Sequence, residues 1–182
     1  MAHQIFNDVA IFDLNDMIWL TVLPNSTYYQ PNILQHQHAV FGWKCIRDRI
    51  ATREQLNKRG VLSNSIPNEC ALCNGGGESV LHLLVLCPFA SAVWQQVCAW
   101  ADIAFYQAVS LVEHMMLFYA SVERRVPAKK RLLLWLAVIW AIWCRRNAVI
   151  FKNEEAVVAE VFEQIRLSSW HWQIIGESKG SN

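Results

Sequence analysis

The sequence predicts a mainly α-helical domain that carries a Cys3His knuckle and is centred on one apolar helix. Three observations lead there. Leu132 to Cys144 is almost wholly apolar between Arg131 and Arg145. Elsewhere apolar residues recur at helical spacing, and strict alternation is weak. Cys70, Cys73, His82 and Cys87 stand in one short stretch. With 182 residues, 54% hydrophobic and 17% charged, the chain can build one compact domain and is too apolar for intrinsic disorder.

The elements follow in order. Met1 to Ala10 has neither a basic region nor a continuous apolar core, so it does not read as an export signal, and six cysteines are then expected to stay reduced inside the cell. Asp13 and Asp16 suit turns or helix caps, and Thr21 to Tyr29 suits an edge strand. Asn32 to Arg49 is spaced as a helix. Thr52 with Gln55 forms a capping-box start for a short helix ended by Gly60, and Val61 to Pro67 is expected to be extended.

Ser79 to Leu86 reads as a short helix carrying His82, and Pro88 disfavours the α conformation at Cys87 and stops it there. Phe89 to Ile103 and Leu111 to Val122 are further helices. Pro127 stands just before Ala128 to Lys152, where its missing amide proton costs nothing. The apolar run inside that helix is shorter than the roughly 20 residues a membrane span needs, so it is expected to be a buried core helix, Trp140 included. Glu154 to Trp172 completes the set, with Glu154, Glu155, Glu160 and Glu163 favourably placed near a helix N-terminus, and Glu177 to Asn182 is a loose tail.

The spacing C-x2-C-x8-H-x4-C offers three thiolates and one imidazole, a closed tetrahedral shell for zinc. A hydrolytic zinc keeps one position for water, whereas a Cys3His shell is full, so Cys70, Cys73, His82 and Cys87 are expected to hold a structural Zn2+. Gly75, Gly76 and Gly77 allow a sharp turn after the first pair, because glycine adopts positive φ without steric cost. Cys45, Cys98 and Cys144 lie beside tryptophans in helical stretches and suit packing, as do most of the nine tryptophans. His36 and His38 cannot both face one ion, His171 sits in an aromatic patch between Trp170 and Trp172, and no metal is expected at these histidines.

Phe41-Gly42-Trp43, Arg49-Ile50-Ala51-Thr52, Leu56 and Lys58-Arg59-Gly60 are followed by Cys70-Ala71-Leu72-Cys73, Glu78-Ser79, His82-Leu83-Leu84 and Cys87-Pro88-Phe89-Ala90-Ser91-Ala92-Val93-Trp94. In this order they resemble the zinc-binding domain at the C-terminal end of plant LINE-type (non-LTR) retrotransposon reverse transcriptases. Trp140-Ala141-Ile142-Trp143, with Arg145-Arg146-Asn147 and Ile150-Phe151, is similar to the helical segment that follows that domain in plant members. Asp16-Met17-Ile18-Trp19 looks like the family's entry into the domain, but Thr21 to Gln35 replaces the stretch expected next. The chain then divides into a divergent segment 1–35, a zinc-binding domain 36–104, a C-terminal helical segment 105–175 packed on it, and a tail 176–182.

The net charge of +1 exerts no global pull on nucleic acid, but Lys44, Arg47, Arg49, Arg53, Lys58 and Arg59 face only Asp48 and Glu54 in their stretch. A second cluster holds Arg124, Arg125, Lys129, Lys130 and Arg131. On charge alone, solvated faces and phosphate contact fit equally well. Two-metal polymerase chemistry needs clustered carboxylates, and the aspartates at 8, 13, 16, 48 and 102 are scattered; no phosphate-cradling glycine motif and no nucleophile–base pairing stands out. The expected function is therefore non-catalytic. By resemblance, the module would grip RNA or DNA near a retroelement polymerase, in nucleus or cytoplasm, with no membrane partner, and would be encoded as a separated fragment of a retroelement. The rival expectation is a zinc-stabilised structural or protein-interaction domain.

Overall fold

The computed structural model describes residues 33–62, 67–121 and 128–177. The edge strand expected at Thr21 to Tyr29, the caps at Asp13 and Asp16, Pro127, Arg124, Arg125 and the tail beyond 177 lie outside these residues, as does 63–66 of the segment expected to be extended. The side chains of His36, Lys129 and His171 are outside as well. Among the described residues are α1 (Ile33–Ile46), α2 (Arg53–Lys58), a π-helical turn (His82–Leu86), α3 (Pro88–Ala101), α4 (Leu111–Ala120), α5 (Ala128–Lys152) and α6 (Val158–Glu177). No strand forms there, and Glu69 and Gly77 make a single antiparallel bridge.

Local chemistry sets most boundaries. The Thr52 side chain accepts the Gln55 backbone N–H, as a capping residue should, but the Gln55 amide turns to Asp48 rather than back to the cap. Gly60 ends α2 at φ 68°, with Gly60 N–H on the Asn57 carbonyl and Val61 N–H on that of Leu56. This pairing of a short and a long bond closes a Schellman end. Asp48 performs the same turn after α1 at φ 56°, with Asp48 N–H bound to Cys45 and Arg49 N–H to Lys44. Asp102 and Asn153 end α3 and α5 in the same left-handed region. Two aspartates with no role legible in the sequence are thus helix stops.

α5 is the centre, touching α1, α3, α4, α6 and the π turn. Leu134 through Ile139 are buried without interruption, which only a helix covered on all sides achieves. The Leu136 side chain of α5 packs onto the backbone of α1 at Gly42, where an added Cβ would stand 2.4 Å from its methyl. By length and composition Lys130–Lys152 is apolar enough to cross a bilayer, a longer stretch than the Leu132–Cys144 run, but half of its most apolar window is buried by the other helices. Trp140 departs from expectation. It is half-buried on the α1 seam, 4.9 Å from His38 and 5.1 Å from Phe41 between ring centroids, while Trp135 and Trp94 are fully buried.

α6 starts later than its acidic run. Glu154 and Glu155 lie in the connection that leaves Asn153 and hold Arg145, which also pairs with Glu160 at 2.7 Å. Cys45 and Cys98 are buried, and burial alone pushes the Cys45 thiol well above its ordinary value.

His114 on α4 is 3% exposed, meets the Trp94 ring edge-to-face at 4.6 Å between centroids and accepts the Trp135 indole N–H at 3.0 Å. Burial lowers its pKa from 6.5 to about 4. A neutral imidazole is favoured in the fold, so its full contribution stands above the unfolded value and is lost as pH falls from 6.5 toward 4. Between pH 7 and 5.5 the wild type should lose about 1 kcal/mol more than His114→Gln, which retains an acceptor for Trp135 but does not titrate. Urea unfolding at both pH values measures this, and equal pH dependence would refute it.

Candidate metal centre

A miniature hairpin presents the first two ligands. Cys70 N–H donates to the Gly76 carbonyl at 3.1 Å and Glu78 N–H to that of Asn68 at 2.8 Å, framing the turn through Ala71 to Gly77. The turn needs left-handed backbone at Asn74 (φ 54°) and Gly76 (φ 62°). A Cβ on Gly76 would meet the His82 ring at 3.4 Å, an ordinary contact, so it is the left-handed backbone that calls for glycine there.

The second pair comes from the next element. The Ser79 hydroxyl caps it by accepting the His82 N–H at 3.1 Å, and Cys87 N–H closes on the His82 carbonyl at 2.6 Å, five residues back. The sequence predicts an ordinary helix here. Residues five apart on an α-helix point about 140° away from one another, so two ligands at that spacing would diverge. The wider π winding brings Cys87 back beneath His82, and Trp94 secures the turn by donating its indole N–H to the Leu84 carbonyl at 2.7 Å. Cys87 itself has left the helix at ψ 133°, as the following proline demands.

All four ligand atoms lie within 4.8 Å of one another. The Cys70 and Cys87 sulfurs are 3.8 Å apart, and the Cys73 sulfur is 3.4 Å from His82 Nε2. Bonds of about 2.3 Å to sulfur and 2.0–2.1 Å to nitrogen give tetrahedral edges of about 3.8 and 3.5 Å, so the set fits zinc, whereas a disulfide needs sulfurs about 2.05 Å apart. Cys87 is held below its ordinary value, first by its hydrogen bond with Cys70, then by the Ala90 and Phe89 amides at the start of α3, with burial opposing. The same shared proton, and then burial, raises Cys70. Burial lowers His82 against the pull of Glu78, keeping the imidazole neutral as a ligand must be.

The basic stretch divides. Lys44, Arg47 and Arg49 are exposed at the end of α1, where the guanidinium carbons of Arg47 and Arg49 stand 5.9 and 5.6 Å from the Trp43 ring centre. Arg59 is exposed after α2. Lys58 pairs with Glu54 at 2.5 Å, and Arg53 donates to the Pro67 and Glu69 carbonyls at 3.3 and 2.7 Å, clamping the strand-like entry to the knuckle.

Sequence reasoning assigned no role to Glu78 and Arg146. Glu78 is fully buried, and its Oε1 accepts from Arg146 Nη2 at 2.5 Å and from the Arg53 backbone N–H at 3.0 Å. Its Oε2 accepts from Ala71 N–H at 3.2 Å and Arg146 Nε at 3.3 Å. No local pattern marked either residue, since Glu78 stands between Gly77 and Ser79 and Arg146 between Arg145 and Asn147, as solvated charges commonly do.

Residues 9–94 match the family described as zinc-binding in reverse transcriptase. That match supports a reverse transcriptase zinc-binding domain. It spans the whole knuckle and ends within α3, so α4, α5 and α6 lie beyond it. No curated protein and no solved structure matched the chain in the comparisons made with each.

Proposed function

We propose that the chain is a non-catalytic zinc module of the plant LINE-type reverse transcriptase kind, which grips RNA or DNA beside a retroelement polymerase inside the cell, in nucleus or cytoplasm. The observation that carries this reading is the Cys3His cluster within a stretch matching a reverse transcriptase zinc-binding domain, a family distinct from the catalytic polymerase domain. The exposed Lys44, Arg47 and Arg49 around Trp43 support phosphate contact with an aromatic surface beside it. The burial of α5 supports a core helix, and membrane binding forms no part of the proposal. A second reading, a structural or protein-interaction module, is favoured by Arg53 and Lys58, whose charges are already engaged within the chain.

Salt separates the two. Affinity for single-stranded RNA or DNA should fall with a log–log slope of about −0.7 per phosphate neutralised. Changing Lys44, Arg47 and Arg49 to Gln should flatten the slope at unchanged zinc content, because none touches the ligands. Sequence preference should be weak, since phosphate contacts do not read bases. Zinc-loaded protein with no salt-dependent binding at micromolar concentration would favour the interaction module.

A further inference from the structure

We infer that Arg146 of α5 is a positioning residue for the zinc site, acting through Glu78, so that the helix beyond the family match sets the metal affinity of the knuckle. This rests on the zinc reading above. The Glu78 carboxylate is one hub with three spokes. It holds Ala71 N–H, between the ligands Cys70 and Cys73; it holds Arg53 N–H, at the start of α2; and it receives Arg146 from the core helix. The Arg53 spoke matters twice, because the Arg53 side chain clamps the Pro67 and Glu69 carbonyls directly before Cys70. Both the entry to the first ligand pair and its internal backbone are therefore oriented from one carboxylate.

That carboxylate is fully buried, and a buried charge stays in place only when it is paired and hydrogen-bonded. Arg146 supplies the charge. It is itself 4% exposed and held by the Ala51 carbonyl at 3.3 Å, by Asn147 Oδ1 at 3.0 Å and over the Trp143 ring at 4.9 Å. Its position is therefore set by α5 and by the entry to α2. Without it, Glu78 would no longer be held on Ala71 and Arg53, and the Cys70–Cys73 pair would lose its preset geometry. The ligands would remain, but ordering them would fall to the metal.

The test is zinc affinity in the full chain, by competition with a chromophoric chelator. Arg146→Met and Glu78→Gln should each weaken zinc about 10–100-fold, the range typical of groups that orient ligands from outside the coordination shell. In the double variant the losses should not multiply, because both act through one contact. Arg146→Lys keeps the charge but cannot reach both oxygens; it should fold and show an intermediate loss, which keeps the test decisive if Arg146→Met does not fold. Arg131→Met is the control. Arg131 is also buried on α5, but it donates to the Tyr119 carbonyl, so its loss should lower stability and weaken zinc only through that coupled cost, less than Arg146→Met does. Unchanged affinity in Arg146→Lys, multiplying losses, or an equal loss in Arg131→Met would overturn the inference. A wild-type chain that binds no zinc would overturn the zinc reading and this inference with it.

Discussion

Cys73→Ser is expected to abolish stoichiometric zinc binding and with it most of the cooperative unfolding transition. A serine hydroxyl is a poor zinc ligand, and the remaining Cys70, His82 and Cys87 leave the tetrahedron open on the hairpin side. Structural zinc contributes on the order of 10 kcal/mol of apparent binding free energy, comparable with the whole stability of a domain this size. The loss should not stay local. Leu83, Leu84 and Val85 of the π turn are buried in the same core as Trp135, Val138 and Ile142 of α5, so a released knuckle uncovers the central helix. Elemental analysis beside a thermal melt by circular dichroism reads both effects. Well-folded wild type that contains no zinc would end this account. Cys45→Ser and Cys98→Ser should keep one zinc per chain, since both residues are packing groups outside the cluster.

Trp135→Ala is expected to cost about 3–5 kcal/mol in the zinc-loaded chain, the range for truncating a fully buried aromatic side chain. Trp135 is fully buried on α5 and gives its indole N–H to His114. Its removal opens a cavity and leaves a buried acceptor unpaired, which itself costs about 1–3 kcal/mol. Trp135→Phe should recover most of the packing but not the hydrogen bond, and so fall between. Trp140→Ala should cost less than Trp135→Ala, because Trp140 is half-buried on the α1 seam. Urea unfolding of the three variants gives the order. A Trp140 effect larger than that of Trp135 would mean that the buried face of α5 is assigned wrongly.

What could be read from the chain alone depends on how far apart the interacting groups stand in it. The Cys3His cluster, the Thr52 cap, the Gly60 stop, the exit at Cys87 and the span Ala128–Lys152 were all legible, because each depends on residues within a few turns of one another. The left-handed stops at Asp48, Asp102 and Asn153 were harder to see, since these residue types only tolerate that backbone, whereas glycine prefers it. The π winding from His82 to Cys87 required tertiary packing: spacing predicts only a helix, and the Trp94 anchor and the ligand geometry select the wider turn. Tertiary structure also decided which tryptophans are covered and which basic residues are engaged. It alone paired Glu78 with Arg146, 68 positions along the chain. Sequence by itself determined which four side chains gather as a Cys3His cluster fit for a metal and where most of the helices run. Only the fold decided what holds those side chains in place, because a buried charge finds its partner through space, from whichever helix packing brings beside it.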